Sequence, residues 1–514
     1  MTVNRLLREE RRMWRLRRSF WNWLLLRRFK LNTPQHVPVP TDDDRKLKTI
    51  PFVQRYPGIP IPNIVVADHV PSDENKRLKL RLSEVQSVIG RVFPQNQPNL
   101  PPINADLTEE LSQAYPARRR KAFPAPARPK EYEGRPDLGY LAVAGAYACF
   151  LQTAPEGGFQ WDLRHLDGYE LHDGLRPLGV RVLFGVDEVA RRLVPAQIDC
   201  DLGPCRPADA NWDLAQRIAL CAATNFLSLI VHYHNVHLAA VPQWAVATRN
   251  NLNRDHPLRR LLQPHLWSTQ YTNEAVTKLL MMKDGDFEGV FSFTHQGLCQ
   301  LFQDWHGRYD IRVMDPQVDA QRRGILDSGF DLPALENRLA HLDVMRAHTR
   351  RYLDVYYDSD QAVRDDSGIK GWVDDLERRV PNGVFPLLGD PLGVEGLSKL
   401  VAAFIYLSTV EHEVLGTSLW NYQVWTDVQP VRVYRNGQRE PVDVYQRLIN
   451  YNLLLNVSRA PLVQDFSYLA LDAEGAACFR TFYTDLQALQ SRLEQEDHSY
   501  WKMYPNILEA SVNG

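Results

Sequence analysis

The stretch that most constrains the fold runs from residue 211 to 265, NWDLAQRIALCAATNFLSLIVHYHNVHLAAVPQWAVATRNNLNRDHPLRRLLQPH. Asp209 and Asn211 offer N-caps, and Leu214, Ile218, Cys221, Ala222 and Phe226 then recur at helical spacing. Neither Gly nor Pro occurs between Trp212 and Val241, so about eight turns can form at ~1.5 Å per residue. A helix that long and apolar on most sides belongs inside a core, and the expected fold is mainly α with this as its central helix. His232, His234 and His237 lie within it. Five residues of ideal helix turn about 500°, which leaves His232 and His237 about 140° apart. They share one metal only if a π-bulge tightens that angle, as bulges at functional sites can; otherwise they are core histidines.

A chain of 514 residues with 44% hydrophobic content can bury a sizeable core, and length alone suggests two to four domains. A net charge of −2 gives no global attraction to polyanions, so no nucleic-acid partner is expected. The six cysteines are sparse and fit no common zinc spacing; buried free thiols in a reducing compartment are expected. No run of about 18 apolar residues is present, so no bilayer span is expected.

Residues 1–30 differ from the rest. Arg and Lys interleave there with Trp14, Phe20, Trp21, Trp23 and Phe29, and Leu6, Met13, Phe20 and Leu24 form one helical stripe. A basic amphipathic helix with Trp and Leu on its apolar side is the pattern of an anionic membrane surface contact, with packing on the chain itself or on a partner as the other reading. It is no secretory signal, because its apolar run is short and ends in Arg27 and Arg28. A cytoplasmic protein, peripheral at a membrane, is expected. Residues 1–45 are taken as this extension and 46–514 as the main domain, with a Pro-rich irregular entry over 46–135 and a helical core over 136–514. Within the entry, 50–62 is expected as extended wrapping chain and 76–92 as a helix. Beyond it, helices are expected over 138–151, 274–282, 297–304, 332–357, 394–422 and 479–494, with a strand and a short helix over 177–192.

The central stretch resembles the iron-binding helix of lipoxygenases, and AVATRNNLNRDHPLRRLLQPH, with His256-Pro257 and Pro264-His265, resembles the motif that follows it. YYDSDQAVRDDSGIKGWVDDLERRV resembles the family's Tyr-rich acidic turn through Tyr356, Tyr357, Asp360, Val363, Asp366 and Trp372. GLSKLVAAFIYLSTVEHEVLGTSLWNY resembles its second metal helix, and ILEASVNG its C-terminal segment. Counted without a gap from Trp212, the first ligand position falls on Leu227, the second on His232, and the usual non-ligand on His237. A slipped register makes His232 and His237 the pair, although the fit at Trp212 and His256 argues against it. His412 matches the His of the second helix, Gly416 occupies the weak-ligand position four residues on, and the Gly514 main-chain carboxylate takes the terminal ligand position.

The resemblance implies a mainly α catalytic domain from about residue 137, and more weakly from 46, without the family's N-terminal β-sandwich; the basic helix is expected to take over its role. It implies a non-haem iron site, or one using manganese, made by His232, His412 and Gly514, with His237 as a further candidate. Two imidazoles and a carboxylate are a known oxygenase donor set. The implied reaction is hydrogen abstraction from a cis,cis-pentadiene of a polyunsaturated fatty acid and O2 insertion to a hydroperoxide, or rearrangement of such a hydroperoxide. Leu227 and Gly416, which offer no donor atom, favour the alternative of a non-catalytic lipid- or partner-binding relative. Ile230, Val231, Leu415 and Leu419 would suit an acyl chain or a close-packed core equally.

Overall fold

The computed structural model describes residues 36–43, 46–74 and 137–512, apart from 188, 390, 418–422, 428, 442–443, 445–446, 449–459 and 497–501. The basic N-terminal stretch, the helix expected over 76–92, Leu419 and Gly514 lie outside the described residues.

The entry segment begins with a short antiparallel pair, β1 (Thr49–Pro51) and β2 (Val65–Ala67). The wrapping chain expected there is interrupted by one helical turn, Phe52–Arg55, set off by Pro51 at its N-cap. Phe52, Ile59, Ile61 and Ile64 are buried. Glu274 ties the segment down, accepting from Tyr56 Oη at 2.6 Å and Arg55 Nη2 at 2.9 Å. The helix expected over 138–151 is α1 (Leu138–Ala144) followed by a 3-10 segment, Ala146–Phe150.

A five-stranded antiparallel sheet follows, in the order β3 (Gln152–Thr153), β4 (Phe159–Asp162), β5 (Arg181–Asp187), β6 (Arg192–Cys200) and β7 (Gly203–Cys205). The strand expected after residue 177 is present; where the short helix was expected, the described residues 189–191 form a turn. Trp161, Val182, Ile198 and Cys205 sit opposite one another on the buried face, and that two-residue alternation forces strands on both sides of the turn. Asp187 closes the turn by accepting from the Val189 and Ala190 amides, and Arg191 takes the left-handed conformation (φ 49°).

Helix α2, Trp212–Asn251, is the centre of the fold: 40 residues, long and apolar enough to cross a membrane by length and composition, with 78% of its most apolar window buried inside the protein. The turn before it is organised by Asp209, which accepts from Arg206 N through its carboxylate and from Trp212 N through its carbonyl. It runs as α-helix over Trp212–Phe226, as π-helix over Leu227–Ala240 and as α-helix again over Val241–Asn251. The return to α geometry falls at Pro242, which has no N–H to give to Leu238 O. Gln243 Nε2 donates to that carbonyl instead, at 3.2 Å.

The motifs that follow α2 pack back on it. His256 caps α3 (Pro257–Leu266), accepting from Leu258 N at 3.1 Å, and its Nε2 meets Asp366 at 3.2 Å. Asp366 accepts from Tyr357 Oη at 2.8 Å and caps α7 (Ser367–Arg379). On that helix Trp372 donates to Thr248 Oγ1 of α2 at 3.0 Å. Between these lie α4 (Thr269–Val276), α5 (His295–His306) and α6 (Pro333–Tyr356). α8 starts at Val394–Tyr406, widens to a π turn over Leu407–Glu411 and ends at His412–Thr417; the rest of the span expected to 422 is not described. Thr409 Oγ1 donates to Ile405 O at 2.6 Å within that wide turn. α9 (Ala473–Gln495) precedes the C-terminal segment.

That segment is buried from Leu508 to Val512, the last residue described. Leu508, Ala510 and Val512 are enclosed, Leu462 N donates to Leu508 O, and Ala510 N donates to Ala460 O. His265 meets Ala510 O at 2.8 Å through Nδ1, and Ser511 Oγ donates to Trp267 O. The Pro264-His265 motif therefore holds the incoming tail.

Candidate metal centre

The two wide turns face each other. In ideal α geometry His232 and His237 would diverge, but a π-helix advances by i→i+5 hydrogen bonds and brings residues five apart onto nearly one face. Their ring centroids lie 5.2 Å apart, and His412 stands 5.0 Å from His232 and 5.2 Å from His237. One nitrogen from each of the three rings falls within 4.8 Å of the others, and all three residues are buried. A central ion with metal–nitrogen bonds of ~2.0–2.1 Å needs only small inward rotations of these side chains.

The surroundings prepare the rings for that use. His237 Nδ1 lies 3.2 Å from Asn273 Oδ1, which makes Nδ1 the donor and leaves Nε2 with its lone pair toward the cluster. His232 Nε2 and His412 Nδ1 are buried with no hydrogen-bond partner among the described residues. Glu413 Oε1 lies 3.3 Å from His412 Nδ1 but outside hydrogen-bonding alignment, so proximity there is no bond. Burial, with smaller contributions from His412 and His237, pushes the His232 imidazole well below its ordinary pKa. Burial first, then His412, takes His237 down to about 3. Both are neutral at physiological pH and need shed no proton to bind a cation. Beside His412, Glu411 accepts from Arg338 Nε at 2.9 Å and Tyr406 Oη at 2.8 Å, which anchors the wide turn that presents the histidine.

His232, His237 and His412 are thus brought together, the pair on α2 being that of the slipped register. Leu227 begins the π stretch and is wholly buried among apolar neighbours. Gly416 follows His412 by four residues, and a side chain there would meet open space. His234 points elsewhere, its Nε2 meeting His306 Nδ1 at 3.2 Å. Asn273, Arg338 and Glu411 were not singled out from the sequence as ligand supports; Asn273 is 36 residues from its histidine, and no spacing rule connects them.

The lipoxygenase family's sequence profile matches residues 204–452. Polyunsaturated fatty acid lipoxygenase ALOX15 of Mus musculus is 24% identical over 325 residues, 59% of this chain and 49% of that protein. Linoleate 9S-lipoxygenase of Phaseolus vulgaris is 26% identical over 178 residues, 32% of this chain and 24% of that protein. The matches thus span less than half the length of these curated relatives. Among solved structures, coral 8R-lipoxygenase superposes with a TM-score of 0.73 at 16% identity, covering 88% of this chain and 77% of that one. A lipoxygenase whose residues 413–417 are replaced by Gly-Ser superposes with a TM-score of 0.72 at 15% identity, covering 87% and 75%. The chain carries a lipoxygenase domain over residues 204–452 and has the mainly helical fold of the lipoxygenase catalytic domain.

Proposed function

We propose that the chain is a non-haem iron dioxygenase of lipoxygenase type, acting on a polyunsaturated fatty acid with O2 through His232, His237 and His412, with the Gly514 carboxylate as a further donor. The observation that carries this reading is the convergence of three buried imidazoles, two of them with ring nitrogens that no described protein group satisfies. Leaving a buried nitrogen unpaired costs about 1–3 kcal/mol, and three imidazoles suit a borderline cation. Manganese would suit the same donors. Bound iron supplies the one-electron chemistry for taking a hydrogen from a cis,cis-pentadiene, after which O2 adds to give a hydroperoxide. The chain's own residues orient the donors: Asn273 fixes the His237 tautomer, and the Arg338–Glu411–Tyr406 contact braces His412. Rearrangement of a hydroperoxide is compatible with the same centre. The basic residues 1–30 are read, within the same proposal, as a contact with anionic lipid surfaces.

One observation favours a non-catalytic lipid- or partner-binding protein instead: Gly416 offers no donor where the resemblance puts a weak ligand. Metal content and oxygen uptake with linoleate decide between the two. Wild type is expected to carry iron and consume oxygen; His237→Ala and His412→Ala are expected to lose both, and one residue added after Gly514 to lower both. Equal metal and turnover in all four proteins would overturn the iron centre and leave the binding protein.

A further inference from the structure

Past α8 the chain turns back along the central helix. Gln429 Nε2 donates to Thr224 Oγ1 at 2.9 Å, Asn225 Nδ2 donates to Val431 O at 3.0 Å, and Gln423 Nε2 donates to Ser228 Oγ. These contacts lay residues 423–431 against α2, with Gln423 at the end nearer the histidines. Ser228 belongs to the π stretch and stands four residues before His232. In so wide a turn, residues four to five apart share nearly one face. Helical side chains lean toward the N-terminus, so the His232 ring reaches back over the turn to which Gln423 is tethered.

Only half of that carboxamide is used. Gln423 is wholly buried, its Nε2 is spent on Ser228, and its Oε1 has no hydrogen-bond partner. His232 Nε2 and His412 Nδ1 are in the same condition. A carboxamide oxygen offers lone pairs alone, and so does an imidazole nitrogen that carries no hydrogen. Lone pairs do not satisfy one another, whereas a cation satisfies all of them. The centre also lacks a donor from its own helices. Gly416, one turn beyond His412, has no side chain, and Glu411 is taken by Arg338 and Tyr406. No carboxylate or thiol of the described residues joins the three imidazoles within 4.8 Å.

We propose that the Gln423 carboxamide oxygen is the weak donor of this centre, supplied from the chain beyond α8 in place of the side chain that Gly416 lacks. This rests on the metal-binding reading given above and adds a ligand to it. A neutral oxygen brings no further charge into a buried site and suits a divalent ion already held by imidazoles. Gln423 follows His412 in sequence and is bonded to the helix that carries His232 and His237. A metal held by all four groups therefore ties this returning segment to both histidine helices.

The test loads the full chain with cobalt(II) and reads two quantities, affinity by chelator competition and the visible absorption of the bound ion. Wild type is expected to bind one cobalt. Gln423→Leu, similar in bulk, is expected to weaken binding by at least the roughly tenfold that supporting groups cost, and to change the visible bands because a ligand is lost. Gln423→Glu keeps an oxygen at the same place and is expected to match or exceed wild-type affinity. Weaker binding by Gln423→Leu with unchanged bands would make Gln423 a brace for Ser228 alone and overturn the proposal. Equal affinity and identical bands in all three proteins would also overturn it, while leaving the three-histidine centre standing. Absence of cobalt from wild type would instead sink the metal reading, and this inference with it.

Discussion

Asn273 decides which nitrogen of His237 faces the cluster. Replacing it with Leu removes the acceptor from Nδ1 and frees the ring to turn, and metal affinity is expected to fall roughly 10- to 100-fold, as for other supports of ligating histidines; chelator competition reads this directly. Gly416 works the other way. Nothing lies within 4 Å of the position a Cβ would take there, so Gly416→Asn can add an amide oxygen one turn beyond His412, and slower metal loss on dialysis against chelator is expected. At this scale part of the candidate site was legible beforehand. His232 and His412 stood out by their motifs, and His237 stood only as a further candidate, because the gap-free count from Trp212 put it at the usual non-ligand position. The five-residue interval was visible in the sequence; the wider turn that makes it useful is a backbone property that no single residue type announces.

At the scale of elements, the long helix was legible because it lacks Gly and Pro over its apolar length, whereas its π stretch was not. The place where that stretch ends has a chemical cause in Pro242 and a repair in Gln243, whose side chain takes the place of the missing amide on Leu238 O. Gln243→Leu keeps the bulk but strands that carbonyl in a fully buried site. A loss of about 1–3 kcal/mol in urea unfolding is expected, with the metal site affected only through the geometry of the π stretch. The hairpin β5–β6 shows the opposite failure. Its DEVARR segment suggests a helical turn taken alone, yet Trp161, Val182 and Ile198 need a common buried face, and that long-range requirement outweighs local preference.

Over the whole molecule, burial depresses many histidines together: His165, His265, His306 and His341 to about 4, and His234 to about 3. The unfolded chain takes up protons near pH 6.5 that these folded imidazoles refuse, so stability is fully present above that pH and is lost as pH falls from 6.5 toward 4. Each contributes at most about 1.4 kcal/mol per pH unit in that window. Glu74 and Glu440, pushed upward by burial, offset part of the loss. Thermal unfolding midpoints are expected to be flat above pH 6.5 and to drop below it; a midpoint that rises on acidification would contradict the buried neutral histidines. The convergence of the three imidazoles also has a consequence in time. His232 and His237 sit five residues apart, while His412 lies 175 residues beyond His237 by subtraction of their positions. Closing a loop of that length costs on the order of 4–5 kcal/mol of chain entropy. On the ribosome the first two imidazoles emerge well before the third, so a metal captured during synthesis would first meet a two-histidine clip and be locked in only when the later helix docks.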